Sequence, residues 1–166
     1  LSCVTTYSYD NKILLTKYSH CVRIVSAREE QLFPTKEKEK NRMKQVIVTP
    51  NAPAAIGPYS QGIAAGQTVY VSGQLPIDPA TGLIPEGIAA QTAQSLKNIQ
   101  TILAQQEMTL ANVVKTTVFL ADINDFAEMN KVYGEYFAQP YPARSAVQVG
   151  KLPKDAPLEI ECIAVK

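Results

Sequence analysis

The chain has 166 residues, 46 % of them apolar, with 16 Lys+Arg against 15 Asp+Glu, so it is long enough for one folded domain and carries no strong overall charge. His20 is the only histidine and Cys3, Cys21 and Cys162 are the only cysteines, which excludes a zinc site with ordinary ligand spacing and leaves no Ser-His-Asp or Cys-His nucleophile within the expected fold. The eight glycines form neither G-x-G-x-x-G nor a P-loop, and no apolar run approaches the roughly 18 residues of a membrane span. What remains is cofactor-free chemistry, with no metal and no membrane partner, and three irregularly spaced cysteines that read as reduced thiols of an intracellular protein.

Composition changes at Met43. Residues 1–42 hold eight of the 16 cations and five of the 15 acids, a net of +3, which leaves residues 43–166 at −2. Within this basic extension, segment 29–42 is charge-rich and poor in apolar residues, so it reads as linker or disorder. Residues 1–28 contain Ser2, Ser8, Ser19 and Ser26, four cations and Asp10 as the single acid, a composition weakly like that of a transit peptide. The competing reading, adopted here, is an upstream segment ahead of a start at Met43. The cytoplasm is then the expected compartment, with a plastid or mitochondrion as the alternative if residues 1–42 are a targeting segment.

In the remainder, Val46 to Val48 is a short apolar run, followed by the turn-rich stretch Asn51 to Pro58. Thr68 to Leu75 alternates as a strand, with Val69, Val71 and Leu75 facing one way and Tyr70, Ser72 and Gln74 the other. Residues 87–106 carry Ala89, Ala93, Leu96, Ile99 and Leu103 at helical spacing. Val113 to Leu120 is β-branched and aromatic and predicts a strand. Phe126, Met129, Val132, Tyr133, Tyr136 and Phe137 mark a second amphipathic helix ending before Pro140.

Two strand-like runs close the chain. Val147 and Val149 mark the inner face of the first, and Leu158, Ile160, Cys162 and Ala164 that of the second, which predicts that Arg144 and Glu159 both point to the opposite face. Arg144 offers a permanent cation whose fork matches a carboxylate, and Glu159 can take or deliver a proton, a pair suited to a small anionic substrate and a water. A structural Arg/Glu ion pair fits the same residues equally well. The predicted order is ββαβαββ, an α+β fold with both helices on one sheet face. The bare face would then carry Val113, Phe119, Ile163 and Val165, apolar surface that a symmetric homo-oligomer would cover.

The segments Ala55-Ile56-Gly57-Pro58-Tyr59-Ser60-Gln61, Val71-Ser72-Gly73-Gln74, Val114 to Leu120, Phe126 to Asn130, Pro142-Ala143-Arg144-Ser145 and Leu158 to Glu161 closely resemble the reactive intermediate deaminase family (RidA, also called YjgF). The resemblance spans Met43 to Lys166. It implies a chorismate-mutase-like fold, a homotrimer with its sheets turned inward, and a ligand cleft at each subunit interface. It further implies cofactor-free hydrolysis of 2-imino and enamine acids to 2-keto acids and ammonia, a role in amino-acid metabolism and metabolite damage control. Arg144 then matches the arginine that clamps the substrate carboxylate, and Glu159 the glutamate that positions or activates water. Tyr59, Ser72 and Asn130 match pocket positions, and Gly73 a glycine whose backbone lines the pocket. Ala146 stands where many relatives carry cysteine, so a thiol-based role there is lost.

Two other functions compete. An endoribonuclease or translation inhibitor would need a basic surface, and a region of net charge −2 without a Lys/Arg cluster interleaved with aromatics argues against nucleic acid as a partner. A non-enzymatic module binding a small carboxylate or a client protein is the second alternative, and the presence of both Arg144 and Glu159 favours the deaminase over it.

Overall fold

The computed structural model describes residues 5–9, 12–16 and 44–166. The chain divides between Arg42 and Met43 into two units. In the first, β1 (Thr5–Tyr9) and β2 (Lys12–Thr16) pair as an antiparallel hairpin with Thr5 opposite Thr16 and Tyr9 opposite Lys12. The predicted linker, residues 29–42, lies outside the described residues.

The second unit is an α+β fold, as the sequence predicts. Its strands are β3 (Gln45–Ile47), β4 (Gly62–Ala65), β5 (Thr68–Gln74), β6 (Val113–Leu120), β7 (Ala143–Gln148) and β8 (Leu158–Val165), ordered β3-β4-β5-β8-β6-β7. All neighbours are antiparallel except β6 and β7. Two helices, α1 (Ile88–Ala104) and α2 (Phe126–Tyr136), pack against each other, and α1 lies on β5 and β8. No helix among the described residues is long and apolar enough to cross a membrane.

The core lies between helices and sheet, where Leu96, Ile99, Ile102 and Leu103 of α1 meet Val118, Leu120, Leu158 and Ile160. Cys162 alternates into this layer as expected; burial, helped by Glu161, pushes its thiol up to about 12, so it packs as a small apolar group.

The structure adds a strand that the sequence reading passed over. β4 is short and begins at Gly62, a residue that weakens a strand signal. A Cβ there would stand 3.1 Å from Ile102 Cγ2 and 3.2 Å from the Tyr70 carbonyl, so the glycine lets α1 approach the sheet. The buried stripe of α1 is also rotated from the predicted one. It runs through Ile88, Thr92, Ser95, Leu96, Ile99, Ile102 and Leu103, with Ala89 and Ala93 on its flank. Two of the buried polar residues find partners there: Thr92 Oγ1 donates to the Ile88 carbonyl at 2.7 Å, and Asn98 Nδ2 donates to the carbonyls of Leu75 and Ile77 at 3.1 and 3.0 Å, whereas the buried Ser95 Oγ has none.

Three further corrections come from register. An irregularity between Val113 and Lys115 turns Val113 into the core, 6 % exposed, and sends Val114 outward instead. A second one between Val71 and Gln74 buries Gln74, which the alternation had placed outside. In β7 the assignment is inverted: Arg144 pairs with Thr116 and Ala146 with Val118, both on the helix-covered face, while Val147 faces outward at 44 % exposure. The open face still carries a row of Val46, Ile63, Tyr70 and Ile163 across four strands, joined by Phe119, Val147 and Val165.

Candidate active site

Glu159 sits on the open face of β8 between the buried Leu158 and Ile160. Beneath it runs the irregular end of β5. A Cβ built on Gly73 would fall on the Glu159 carboxylate, 2.6 Å from its Cδ, so only glycine leaves room for the acid in this position. Ser72 Oγ donates to the Ser60 carbonyl at 2.6 Å and Ser72 N to the Gln61 carbonyl at 3.0 Å, which ties the loop bearing Tyr59 to the same strand end. Tyr59 is half exposed, and its hydroxyl accepts from Ile56 N at 3.4 Å. Together these residues line a cleft of about 380 Å³, with Pro153 also in its wall. Four of the residues the sequence singled out, Tyr59, Ser72, Gly73 and Glu159, are therefore gathered here.

Burial raises the proton affinity of Glu159 above the ordinary carboxylate value, and the neighbouring charge of Glu161 adds to the rise. Glu161 was not singled out beforehand, although an acid two residues on in a strand shares its face. A carboxylate whose pKa is raised on folding contributes stability below its unfolded pKa and loses it as pH climbs through the folded value. Glu159→Gln removes that loss. Thermal melts across pH 4 to 8 are expected to give the variant a melting temperature that gains on the parent as pH rises; a constant difference would remove the burial argument.

Arg144 belongs to a second cluster. Its Nη2 donates to Asn130 Oδ1 at 2.7 Å, and its guanidinium carbon lies 4.5 Å from the Tyr133 ring centroid and 5.6 Å from that of Phe126. Asn130, Tyr133 and Phe126 all come from α2. Tyr133 is itself fixed by a 2.8 Å hydrogen bond with Thr116 Oγ1. Burial raises its phenol pKa, against lowering by the Thr116 bond and by Arg144. Ala146 packs against the core two residues beyond Arg144. Sequence reasoning found Asn130 and Arg144 but not the aromatic pair, whose helical spacing reads as core.

The two clusters do not meet within one chain. Arg144 and Glu159 stand two strands apart and three residues out of step, roughly 14 Å between Cα atoms, with side chains on opposite faces of the sheet. This corrects the expectation of a shared face and removes the reading of a structural ion pair inside the chain. Among the described residues neither has an oppositely charged partner: Arg144 bonds a neutral amide, and Glu159 feels only another acid. No group of three His, Cys, Asp or Glu among the described residues could hold a metal ion.

Comparison with known proteins places this geometry in a family. The profile described as Endoribonuclease L-PSP matches residues 49–166. The chain is 56 % identical over 125 residues to a RutC family protein of Pyrococcus horikoshii, covering 75 % of this chain and 99 % of the relative. It is 49 % identical over 127 residues to the 2-iminobutanoate/2-iminopropanoate deaminase of Salmonella typhimurium, again over 75 % of this chain and 99 % of that protein. The crystal structure of Escherichia coli TdcF with bound serine is 47 % identical and superposes with a TM-score of 0.70 over 74 % of this chain and 98 % of that one. The chain therefore belongs to the Endoribonuclease L-PSP family, the YjgF/RidA/RutC group that includes the 2-iminobutanoate/2-iminopropanoate deaminases.

Proposed function

We propose that the protein hydrolyses reactive 2-imino acids and their enamine tautomers to 2-keto acids and ammonia, without a cofactor, in sites shared between the subunits of a homotrimer. The observation that carries this reading is the separation of an unpaired cation from an unpaired acid on opposite sheet faces. Each is held in a prepared setting, and only a neighbouring subunit can bring them together around one substrate. The name of the Salmonella relative supports the reaction, and the serine bound to TdcF supports a small amino-acid-like ligand.

The chemistry follows from the two halves. Arg144 binds the substrate carboxylate through its fork, aligned by Asn130 and by stacking on Tyr133. The iminium carbon beside that carboxylate is already electrophilic, so placing a water within reach supplies much of the catalysis. Glu159 takes a proton from the water as its oxygen bonds to the carbon. The resulting carbinolamine receives that proton on nitrogen, and ammonia leaves as the hydroxyl gives its own proton back to the Glu159 carboxylate and the carbonyl forms. A carboxylate with raised proton affinity suits these transfers, typically worth about two to four orders of magnitude in rate. Tyr59 and Ser72 line the water side, Gly73 gives the acid its space, and Ala146 contributes through its backbone and small size.

The decisive assay couples an amino-acid dehydratase or oxidase to the purified protein and follows keto-acid and ammonia release from the free imine. Release no faster than the spontaneous reaction would end the proposal. The ribonuclease reading draws no support from the charge, since Lys115 is the one cation on the open face of the six-stranded sheet. The cytoplasm remains the compartment this reading assigns, or a plastid or mitochondrion if residues 1–42 direct it there.

Assembly gives a separate prediction. The exposed apolar row on the sheet calls for a covering partner. Residues 43–166 alone are expected to sediment as a trimer and to keep the full-length rate. A stable monomer at micromolar concentration would sink the shared site, and aggregation of the truncated chain would assign residues 1–42 a structural role.

A further inference from the structure

Glu159 has an acidic neighbour placed to act on it. Glu161 follows two residues later on β8, so both side chains stand on the open face, roughly 7 Å apart at their Cα atoms by the rise of a strand, and both line the cleft of about 380 Å³. Glu161 also borders a second cavity of about 390 Å³ on the same face, with Tyr70 and Ser72 of β5 and Lys115 and Thr117 of β6 in its wall. Register sets Thr117 opposite Glu161 and Phe119 opposite Glu159, so neither acid has a cation directly across from it on β6.

Lys115 stands one diagonal step from Glu161, and it is held away. Its Nζ donates to Ser145 Oγ at 2.8 Å, on β7, the neighbour of β6 on the side remote from β8. Among the described residues Glu161 makes neither a hydrogen bond nor an ion pair. The other titratable groups around the two acids are Tyr59 and Tyr70 in the cavity walls and Lys154, which lines the cavity adjoining the cleft. β7 brings Ala143, Ser145 and Val147 to this face, none of which titrates.

We propose that Glu161 is a positioning residue for the hydrolysis: acting through Glu159, its negative charge, left uncancelled because Ser145 holds Lys115, draws the proton of the attacking water onto Glu159. The inference rests on the deaminase reading for the role of Glu159. Burial favours the protonated form of that acid, and the Glu161 charge on the same face adds to it. Arg144 of a neighbouring subunit opposes this in the empty site. Once the substrate carboxylate fills the guanidinium fork that opposition is offset, and Glu161 remains as the charge that Glu159 feels. Because a charge acts through space, an amide of the same shape should abolish the effect, and a shorter carboxylate should keep most of it.

The test follows kcat of the full chain for 2-iminopropanoate, generated in place by an amino-acid oxidase, from pH 5 to 8 in the parent, Glu161→Gln, Glu161→Asp and Ser145→Ala. The variant-to-parent ratio cancels the titration of the substrate itself. In Glu161→Gln, Glu159 becomes a weaker base that stays ionised to lower pH, so kcat is expected to drop at pH 8 and the ratio to climb about twofold or more as the pH falls to 5. Glu161→Asp should keep the parental profile. Ser145→Ala frees Lys115 to reach Glu161 and should tilt the ratio the same way as Glu161→Gln, by less. A ratio independent of pH in Glu161→Gln, or an aspartate that behaves as the amide, would overturn the proposal, and an untilted Ser145→Ala would remove the part given to Lys115. Carbon-13 NMR titration of the Glu159 carboxyl, assigned through Glu159→Gln, needs no turnover, and its midpoint should lie lower in Glu161→Gln than in the parent. If the parent hydrolyses no imine, the deaminase reading fails, and the NMR midpoints decide by themselves whether the two acids are coupled; coincident midpoints would end that claim too.

Discussion

In Glu159→Gln, kcat for imino-acid hydrolysis is expected to fall about 100- to 10,000-fold, the usual worth of a positioned proton-transfer group. The amide keeps the shape of the side chain over Gly73 but can neither take a proton from water nor return one to nitrogen. Binding of a keto-acid product should change little, because the carboxylate anchor is a different residue on the other side of the sheet. Trimers should still form, since a half-buried acid adds less to assembly than the apolar row beside it. Stopped-flow rates and product titration of the same preparation check both parts. Parent-like turnover would show that Glu159 does not handle the water.

The second large effect belongs to Arg144. Lysine retains the charge and loses the fork, the Asn130 alignment and the flat stacking on Tyr133. Arg144→Lys is expected to raise KM at least tenfold and to lower kcat as well, because a misplaced carboxylate misplaces the reacting carbon. The shared-site geometry makes a sharper demand when two dead proteins are combined. Arg144→Ala and Glu159→Gln subunits, unfolded together in equal amounts and refolded, should regain about a quarter of the parental activity, because three quarters of cyclic trimers are mixed and each mixed trimer rebuilds one site in three. Simple mixing without subunit exchange should regain none. Failure of refolded mixtures to recover activity, with exchange verified by mass, would place both residues in one subunit's site and contradict the separation of the two faces.

How far the sequence reached depends on which strand is considered. In β8 strict alternation over eight residues put Leu158, Ile160, Cys162 and Ala164 inside and Glu159 outside, and each stands where the pattern placed it. A strand between two others has both sides of its backbone committed and one face buried, so its pattern is unambiguous. β7 is an edge strand with six residues and few large apolar ones, and Val147 and Val149 were poor guides to its inner face. What turns Arg144 inward is α2, whose Tyr133, Phe126 and Asn130 accept a guanidinium at the rim of the core; residues 11 to 18 positions away in sequence decide it.

The irregularities at Val71/Gln74 and Val113/Lys115 likewise leave no local signature, because an extra residue in a strand is defined by the partner it fails to pair with. Their effect reaches the site: the first brings Gly73 under Glu159, and a glycine in a strand does not disclose which side chain needs its space. By itself, then, the sequence determined the α+β class, the two helices, the unpartnered apolar sheet face and the residue types of the chemistry, all of which follow from local periodicity and composition. Tertiary structure alone decided that Arg144 and Glu159 occupy opposite faces, since a one-residue change of register reverses a side chain and only pairing and packing set the register.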